Sequence, residues 1–300
     1  MFSKSQWITT FVLTSACLGA YVGLRSIPVE ACEVVHYGAY INDAGVIEGC
    51  GIEEVGFFDL DELKYPVALK LEALSTPRVG EETTFVLQLA TSTGRPLAYE
   101  DIAVSHTERI HAMIIDDALA DYQHLHPVDG GALGSYHFTH TPQRAGSYDF
   151  YLDFIPLKTA KRTLLAGSFQ VEAAQGSETA ATSIEALPFP AKLNYPESKL
   201  VVGETIELTL EINPLEGDES LTLDPVMDAY AHLVAFSSDR TGFAHFHPTA
   251  LPGVAPDPAD PRLEFRFSVE EPGEYRVWAQ FSVNGVEQFI PFDLIIRDEA

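Results

Sequence analysis

Hydrophobic residues in this chain recur at every second position, in runs of strand length separated by glycine, proline, aspartate or serine. Thr83 to Leu89, Ile206 to Ile212, Tyr148 to Phe154 and Tyr275 to Phe281 carry that period, which sends alternate side chains to opposite faces of a strand. Tyr148, Phe150, Leu152 and Phe154 are expected to face a core, as are Tyr275, Val277, Ala279 and Phe281. Ala112 to Ile115 and Leu233 to Phe236 are instead apolar throughout. Each is followed by a polar stretch, Asp116 to Asp121 or Ser237 to Gly242, and then a second short strand, so each predicts a β-hairpin. Beyond the N-terminus no helical period of useful length appears, and the pattern predicts an all-β chain.

The pattern occurs twice. Val79-Gly80-Glu81 matches Val202-Gly203-Glu204 at an offset of 123, and the hairpins match at 121. Gly146-Ser147-Tyr148 matches Gly273-Glu274-Tyr275 at 127, the difference being a proline-rich insertion around Leu251 to Pro261. Turn, hairpin and final strand in one order mean two copies of one fold. Seven or so short strands in about 110 residues is the signature of an immunoglobulin-like β-sandwich. We therefore expect two tandem immunoglobulin-like β-sandwiches, residues 65–175 and 186–298, joined by a polar linker at 176–185.

Residues 1–25 read as a signal peptide or membrane anchor: Lys4 precedes an apolar run from Trp7 to Leu24. Residues 26–64 form an extra segment that neither repeat explains. It holds Cys32 and Cys50, which an oxidising compartment would join as a disulfide. The body of the protein is expected to be exported, whether periplasmic, in the cell envelope or secreted. Eighteen basic against 44 acidic residues, net −26, argue against nucleic acid and anionic membrane surfaces as partners. Membrane contact is then expected only through the N-terminal segment.

The hairpins carry the candidate chemistry. Each opens on a histidine followed 13 and 15 positions later by two more and then a proline: His111, His124, His126, Pro127, and His232, His245, His247, Pro248. Six of the ten histidines fall into these triplets. Residues two apart on a strand share a face, and a hairpin with an even loop pairs residues whose indices have an odd sum. His111 with His124 and His111 with His126 both meet that condition, so all three rings share one face. Three protonated imidazoles side by side repel, and a cation held by neutral imidazoles removes the conflict. The alternative is a hydrogen-bonded structural cluster with no ion.

The order histidine, short apolar run, Asp or Ser turn, aromatic residue, His-x-His-Pro, then Pro/Ala-Gly-x-Tyr and an aromatic strand resembles the YtkA-like secreted immunoglobulin-type domains. These are distantly similar to the CopC-type copper carriers. The resemblance covers both repeats and implies an exported, copper-related module. Its members often carry a further histidine five residues before the hairpin, as His106 stands before His111. In the second copy Met227 takes that place. A thioether suits Cu(I), whereas imidazole suits copper and zinc; core filling is the other use of Met227. His137 and His140 are candidate additional ligands in the first copy.

These observations lead us to expect an exported metal-binding carrier or buffer, not an enzyme, with one site per sandwich and copper bound, zinc being the alternative. Its partners would be the metal ion and another envelope protein. A structural or adhesive sandwich without metal is the second reading. A zinc-dependent hydrolase is the third, with Glu108 or Asp121 as its only candidate bases.

Overall fold

In the computed structural model of the chain, the structure describes residues 10, 13–15, 18, 41–47, 55–60, 65–174, 189–213, 221–250, 254–258 and 260–298. The expected Cys32–Cys50 disulfide, the linker and nearly all of the expected signal or anchor lie outside these residues. Among the described residues no helix is long and apolar enough to cross a membrane. Residues 36–300 form one compact unit.

In chain order the strands begin with β1 (Val55–Gly56), β2 (Phe58–Asp59), β3 (Val67–Ala73), β4 (Thr83–Thr91) and β5 (Ile110–Asp116). There follow β6 (Tyr122–Leu125), β7 (Val128–Asp129), β8 (Ser135–His140), β9 (Gly146–Phe154) and β10 (Thr163–Val171). The second repeat supplies β11 (Ala191–Asn194), β12 (Ile206–Ile212), β13 (Leu223–Asp224) and β14 (His232–Ser237). It ends with β15 (Gly242–Phe246), β16 (Arg262–Ser268), β17 (Gly273–Val283) and β18 (Val286–Ile296).

Each repeat folds as two sheets face to face. In the first, β3-β4-β8-β7 packs on β10-β9-β5-β6; in the second, β11-β12-β16 packs on β18-β17-β14-β15. Phe85, Leu87, Ile110, Ile114, Phe150 and Leu152 fill the first core; Leu208, Leu210, Leu233, Phe265, Val277 and Phe281 fill the second. The copies repeat down to backbone strain. Residues 106 and 107 take φ of 50° and 69°, and their equivalents 227 and 228 take 48° and 67°. In the hairpin loops Leu119 and Arg240 take 55° and 62°. Side chains rarely adopt such values without surrounding structure to hold them, so their recurrence marks a shared backbone.

The apolar runs now have an explanation. Every residue of β5 and of β14 is buried. Ala112 and Ile114 face the first core and Leu233 and Ala235 the second, while Met113, Ile115, Val234 and Phe236 face a third cluster. That cluster also contains Tyr122, Tyr151, Phe243 and Trp278, drawn from both repeats. The two hairpin sheets thus pack back to back, and a strand covered on both faces shows no alternation. The same contact occurs twice across the junction: Tyr151 Oη donates to the Arg240 carbonyl at 2.7 Å, and Trp278 Nε1 to that of Leu119 at 3.3 Å. Residues 119 and 240, like 151 and 278, are equivalent positions, so the junction is a near two-fold interface within one chain.

The segment before the first repeat reaches the second one. β1 runs parallel to β16, the edge that β7 occupies in the first copy, and β2 pairs antiparallel with Gly242 and Phe243 at the free edge of β15. This explains why Gly242 stands where the first copy has Asp121. A Cβ at 242 would lie 1.8 Å from the Phe58 carbonyl oxygen. Gly242→Ala should therefore detach β2. Limited proteolysis should cut within residues 55–60, and urea unfolding should show a loss on the order of 1–3 kcal/mol. Unchanged protection of that segment would contradict this pairing.

Candidate metal centre between the sandwiches

Hairpin register places the histidines. Asp116 N donates to the Asp121 carbonyl at 3.3 Å, closing a four-residue loop, and Met113 pairs with His124 across β5 and β6. Continuing that register sets His126 opposite His111, with His124 diagonal to it. Val234 pairs with His245 in the same way. All three rings of each triplet therefore share a face, as the index sums require. Ring centroids stand at 5.4 Å for His111–His124, 5.1 Å for His111–His126 and 4.9 Å for His124–His126.

The site expected in each sandwich does not stand alone: the two triplets meet where the sandwiches pack. The face carrying His111 and His124 is the face that packs on the other repeat, because Met113, Ile115 and Tyr122 beside them belong to the junction. Burying those apolar side chains carries both histidine sets into one cluster. His124 stands 5.0 Å from His245 and 5.6 Å from His232, and His111 stands 5.5 Å from His245, between ring centroids. His106 stacks on His247 of the other repeat at 3.8 Å. His111, His124, His232 and His245 are buried, and His106, His126 and His247 form a half-buried rim.

The other predicted residues sit elsewhere or differently. Met227 occupies the turn equivalent to that of His106, next to Val226, and is half-buried. His137 and His140 are not brought to the cluster: β8 belongs to the opposite sheet of the first sandwich. His140 is buried against the rings of Tyr148 and Phe169, 5.6 and 6.2 Å away. Asp121 lies at the loop end of its hairpin, where it accepts hydrogen bonds from Gln143 N at 2.7 Å and from Tyr148 Oη. Burial raises its pKa, and its place is structural.

Residues around the rings fix which nitrogen carries the proton. His111 Nε2 lies 3.0 Å from the Ser105 carbonyl, and His232 Nε2 lies 2.8 Å from that of Val226. A carbonyl only accepts, so each Nε2 is protonated and each Nδ1 of the neutral ring is bare. Gln280 Nε2 donates to the Glu287 carboxylate at 2.7 Å, which turns Gln280 Oε1 toward His124 Nδ1 at 2.9 Å. His124 therefore donates from Nδ1 and leaves Nε2 bare. Asp153, held by Arg162 through contacts of 3.0 and 2.5 Å, sets its carboxylate 3.6 Å from His245 Nδ1 and favours the same tautomer there. Burial alone would raise the Asp153 pKa, but Arg162 and His245 hold it well below the usual carboxylate range. Asp153 and Gln280 are equivalent positions, paired in register with His111 and His232, yet each orients a ring of the other repeat.

Two bare nitrogens now face each other in each half. His111 Nδ1 and His124 Nε2 are 3.2 Å apart, and His232 Nδ1 and His245 Nε2 are 3.3 Å apart. Neither pair can hydrogen-bond without an added proton, and burial pushes the pKa of all four rings down, helped by neighbouring histidines at His111, His124 and His232 and opposed by Asp153 at His245. Nε2 of His126 and of His247 are buried with no partner. A cation that accepts lone pairs satisfies every one of these atoms. The donor nitrogens of His111, His124 and His126, and those of His124, His232 and His245, lie within 4.8 Å of one another. Copper or zinc fits this all-imidazole donor set; calcium and magnesium, which take oxygen ligands, do not.

The profile of a family described as Domain of unknown function (DUF8832) matches the chain twice, at residues 61–174 and 191–298. No curated protein matches it. Among solved structures, fibronectin(III)-like modules of Clostridium thermocellum CbhA share 10% identity at a TM-score of 0.22, covering 77% of this chain and 95% of that one. A putative membrane anchored protein of Corynebacterium diphtheriae shares 10% at 0.23, covering 76% of this chain, which spans 58% of that one. Salmonella alpha-2-macroglobulin shares 14% at 0.26, covering 77% of this chain, which spans 16% of that one. Overlaps this low add nothing on function.

Proton linkage gives a test of the buried rings. Burial lowers the pKa of His106, His126 and His140 to about 4 from 6.5, and holds those of His111, His124, His232 and His247 well below the ordinary value. The unfolded chain then binds more protons below the ordinary histidine value. The stability contribution is fully present above it and is lost as pH falls toward and through 4, by about 1.4 kcal/mol per pH unit for each such ring. In chelator-treated protein the urea midpoint should fall steeply between pH 6.5 and pH 4.5. A midpoint flat over that window would contradict the burial of neutral imidazoles.

Proposed function

For this chain, which belongs to the family described as Domain of unknown function (DUF8832), we propose the function of an exported metal-binding carrier or buffer. Its metal would sit among the histidines where the two sandwiches meet, with copper as the first choice and zinc as the second. The observation that supports this is the pair of facing bare nitrogens in each hairpin, 3.2 and 3.3 Å apart, with tautomers set by acceptor-only neighbours. A structural cluster has no need of that arrangement, since turning one tautomer would make a hydrogen bond. His111, His124, His126, His232, His245 and His247 are the proposed ligands. His106 lies against His247, and Met227 holds the equivalent turn, next to Val226, whose carbonyl accepts from His232. Met227 inclines the choice toward copper, because thioether sulfur is a ligand for Cu(I) and a poor one for zinc. Export rests on the apolar N-terminus followed by acidic globular repeats. The chain would lend its ion to a partner through the rim, where His106, His126 and His247 are only half-buried.

Cu(II), Cu(I) and Zn(II) titrated into the full chain should give saturable binding. Ion at about 100 times its dissociation constant should add about 2.7 kcal/mol to stability. A His124→Ala/His245→Ala double variant should lose both effects, and equal binding by the two proteins would refute the proposal. Gln280→Leu removes the acceptor that orients His124 without touching a ligand. It should weaken binding roughly 10- to 100-fold while chelator-treated stability changes little. A change in stability alone, with affinity intact, would mean that Gln280 only packs.

A further inference from the structure

We infer that the cluster is a centre for two ions, not one, each gripped first by a single hairpin. This deepens the metal-binding reading and rests on it. Two nitrogens bound to one tetrahedral ion at about 2.0–2.1 Å stand about 3.3 Å apart. His111 Nδ1 and His124 Nε2, at 3.2 Å, already have that bite, and so do His232 Nδ1 and His245 Nε2, at 3.3 Å. The two bites are made the same way: a ring tethered by its Nε2 to a turn carbonyl, and a ring oriented by a residue of the opposite repeat.

Each half also has a third nitrogen in waiting. His126 completes a group with His111 and His124. In the second half the grouped donors are His232, His245 and His124, but the Nε2 of His124 can bind one ion only. His247 supplies the missing donor. Its ring lies 4.7 Å from His232 and 4.8 Å from His245, and its buried Nε2 has no partner. Its donor is not among those already grouped with His232 and His245, so the second set closes only when the His247 ring, now lying against His106, turns toward them. Six imidazoles then divide into two sets of three, related by the near two-fold axis of the junction, with His124 and His232 in neighbouring sets only 5.6 Å apart between ring centroids. Sharing one ion among all six would exceed the four ligands such a cation takes in a closed site. The class of ligand is thus a pair of nitrogen-seeking cations, cuprous, cupric or zinc, held a few ångströms apart.

The experiment is a metal count. The full chain is saturated with Zn(II) and, separately, with Cu(II), freed of excess by gel filtration and analysed for metal per chain. His126→Ala and His247→Ala, both rim positions whose loss opens no core, are treated alike, with thermal unfolding as the check on folding. Two ions per wild-type chain, and one per chain in each variant, is the expected result. One ion per wild-type chain would overturn the pairing while leaving the metal-binding reading standing. No ion in any folded protein would overturn both.

Discussion

Two bare imidazole nitrogens held face to face in a buried place are the constraint on which this structure turns. Water does not separate them, a proton is opposed by burial, and the neighbouring carbonyl and amide groups forbid the tautomer that would relieve them. That arrangement occurs in both halves of the molecule. A site of this kind is costly for an empty protein to keep and favourable for one that fills it, which is the usual thermodynamic mark of a site built for a ligand. The large acidic excess of the chain, net −26, would further favour cations near its surface.

The rest of the fold serves to hold that geometry. Each hairpin fixes its own three rings through register, and a turn carbonyl of the same repeat sets the tautomer of His111 and of His232. The tautomers of His124 and His245 are set across the junction, where Gln280 of the second repeat faces His124 and Asp153 of the first faces His245. Met113, Ile115, Tyr151, Phe236 and Trp278 bury the contact between the repeats and so keep both outer shells in place. Apolar packing and the proposed metal binding would thus be coupled: loosening the junction would free His124 and His245 to adopt other tautomers with every histidine intact. β2, laid on the edge of β15 beside Gly242, buttresses the hairpin that carries His245.

Much of this was legible in the sequence. Offsets of 121, 123 and 127 gave the duplication, alternation gave the strands, and odd index sums put the histidines of each hairpin on one face. What escaped was the meeting of the two faces. Its signal was present: Ala112 to Ile115 and Leu233 to Phe236 do not alternate, and a strand apolar on both faces needs a cover on both. Between the core positions of β9 and β17, Tyr151 with Asp153 and Trp278 with Gln280 repeat at the 127 offset. Large aromatic and polar residues recurring on an outward face announce a partner, though not that the partner is the other repeat. His137 and His140 follow the hairpin in sequence but not in space, because β8 crosses to the opposite sheet. The place of β1 and β2 on the second repeat has no local signature, since pairing across some 200 residues of chain is a matter of topology.

The central claim is that imidazoles of both repeats form one metal centre, and anomalous scattering at the absorption edge of the bound metal tests it most directly. Crystals of the metal-loaded chain should show one peak about 2.0–2.1 Å from His111 Nδ1 and His124 Nε2 and a neighbouring one as far from His232 Nδ1 and His245 Nε2. Peaks only among surface carboxylates, with the histidine cluster unchanged and empty, would contradict it.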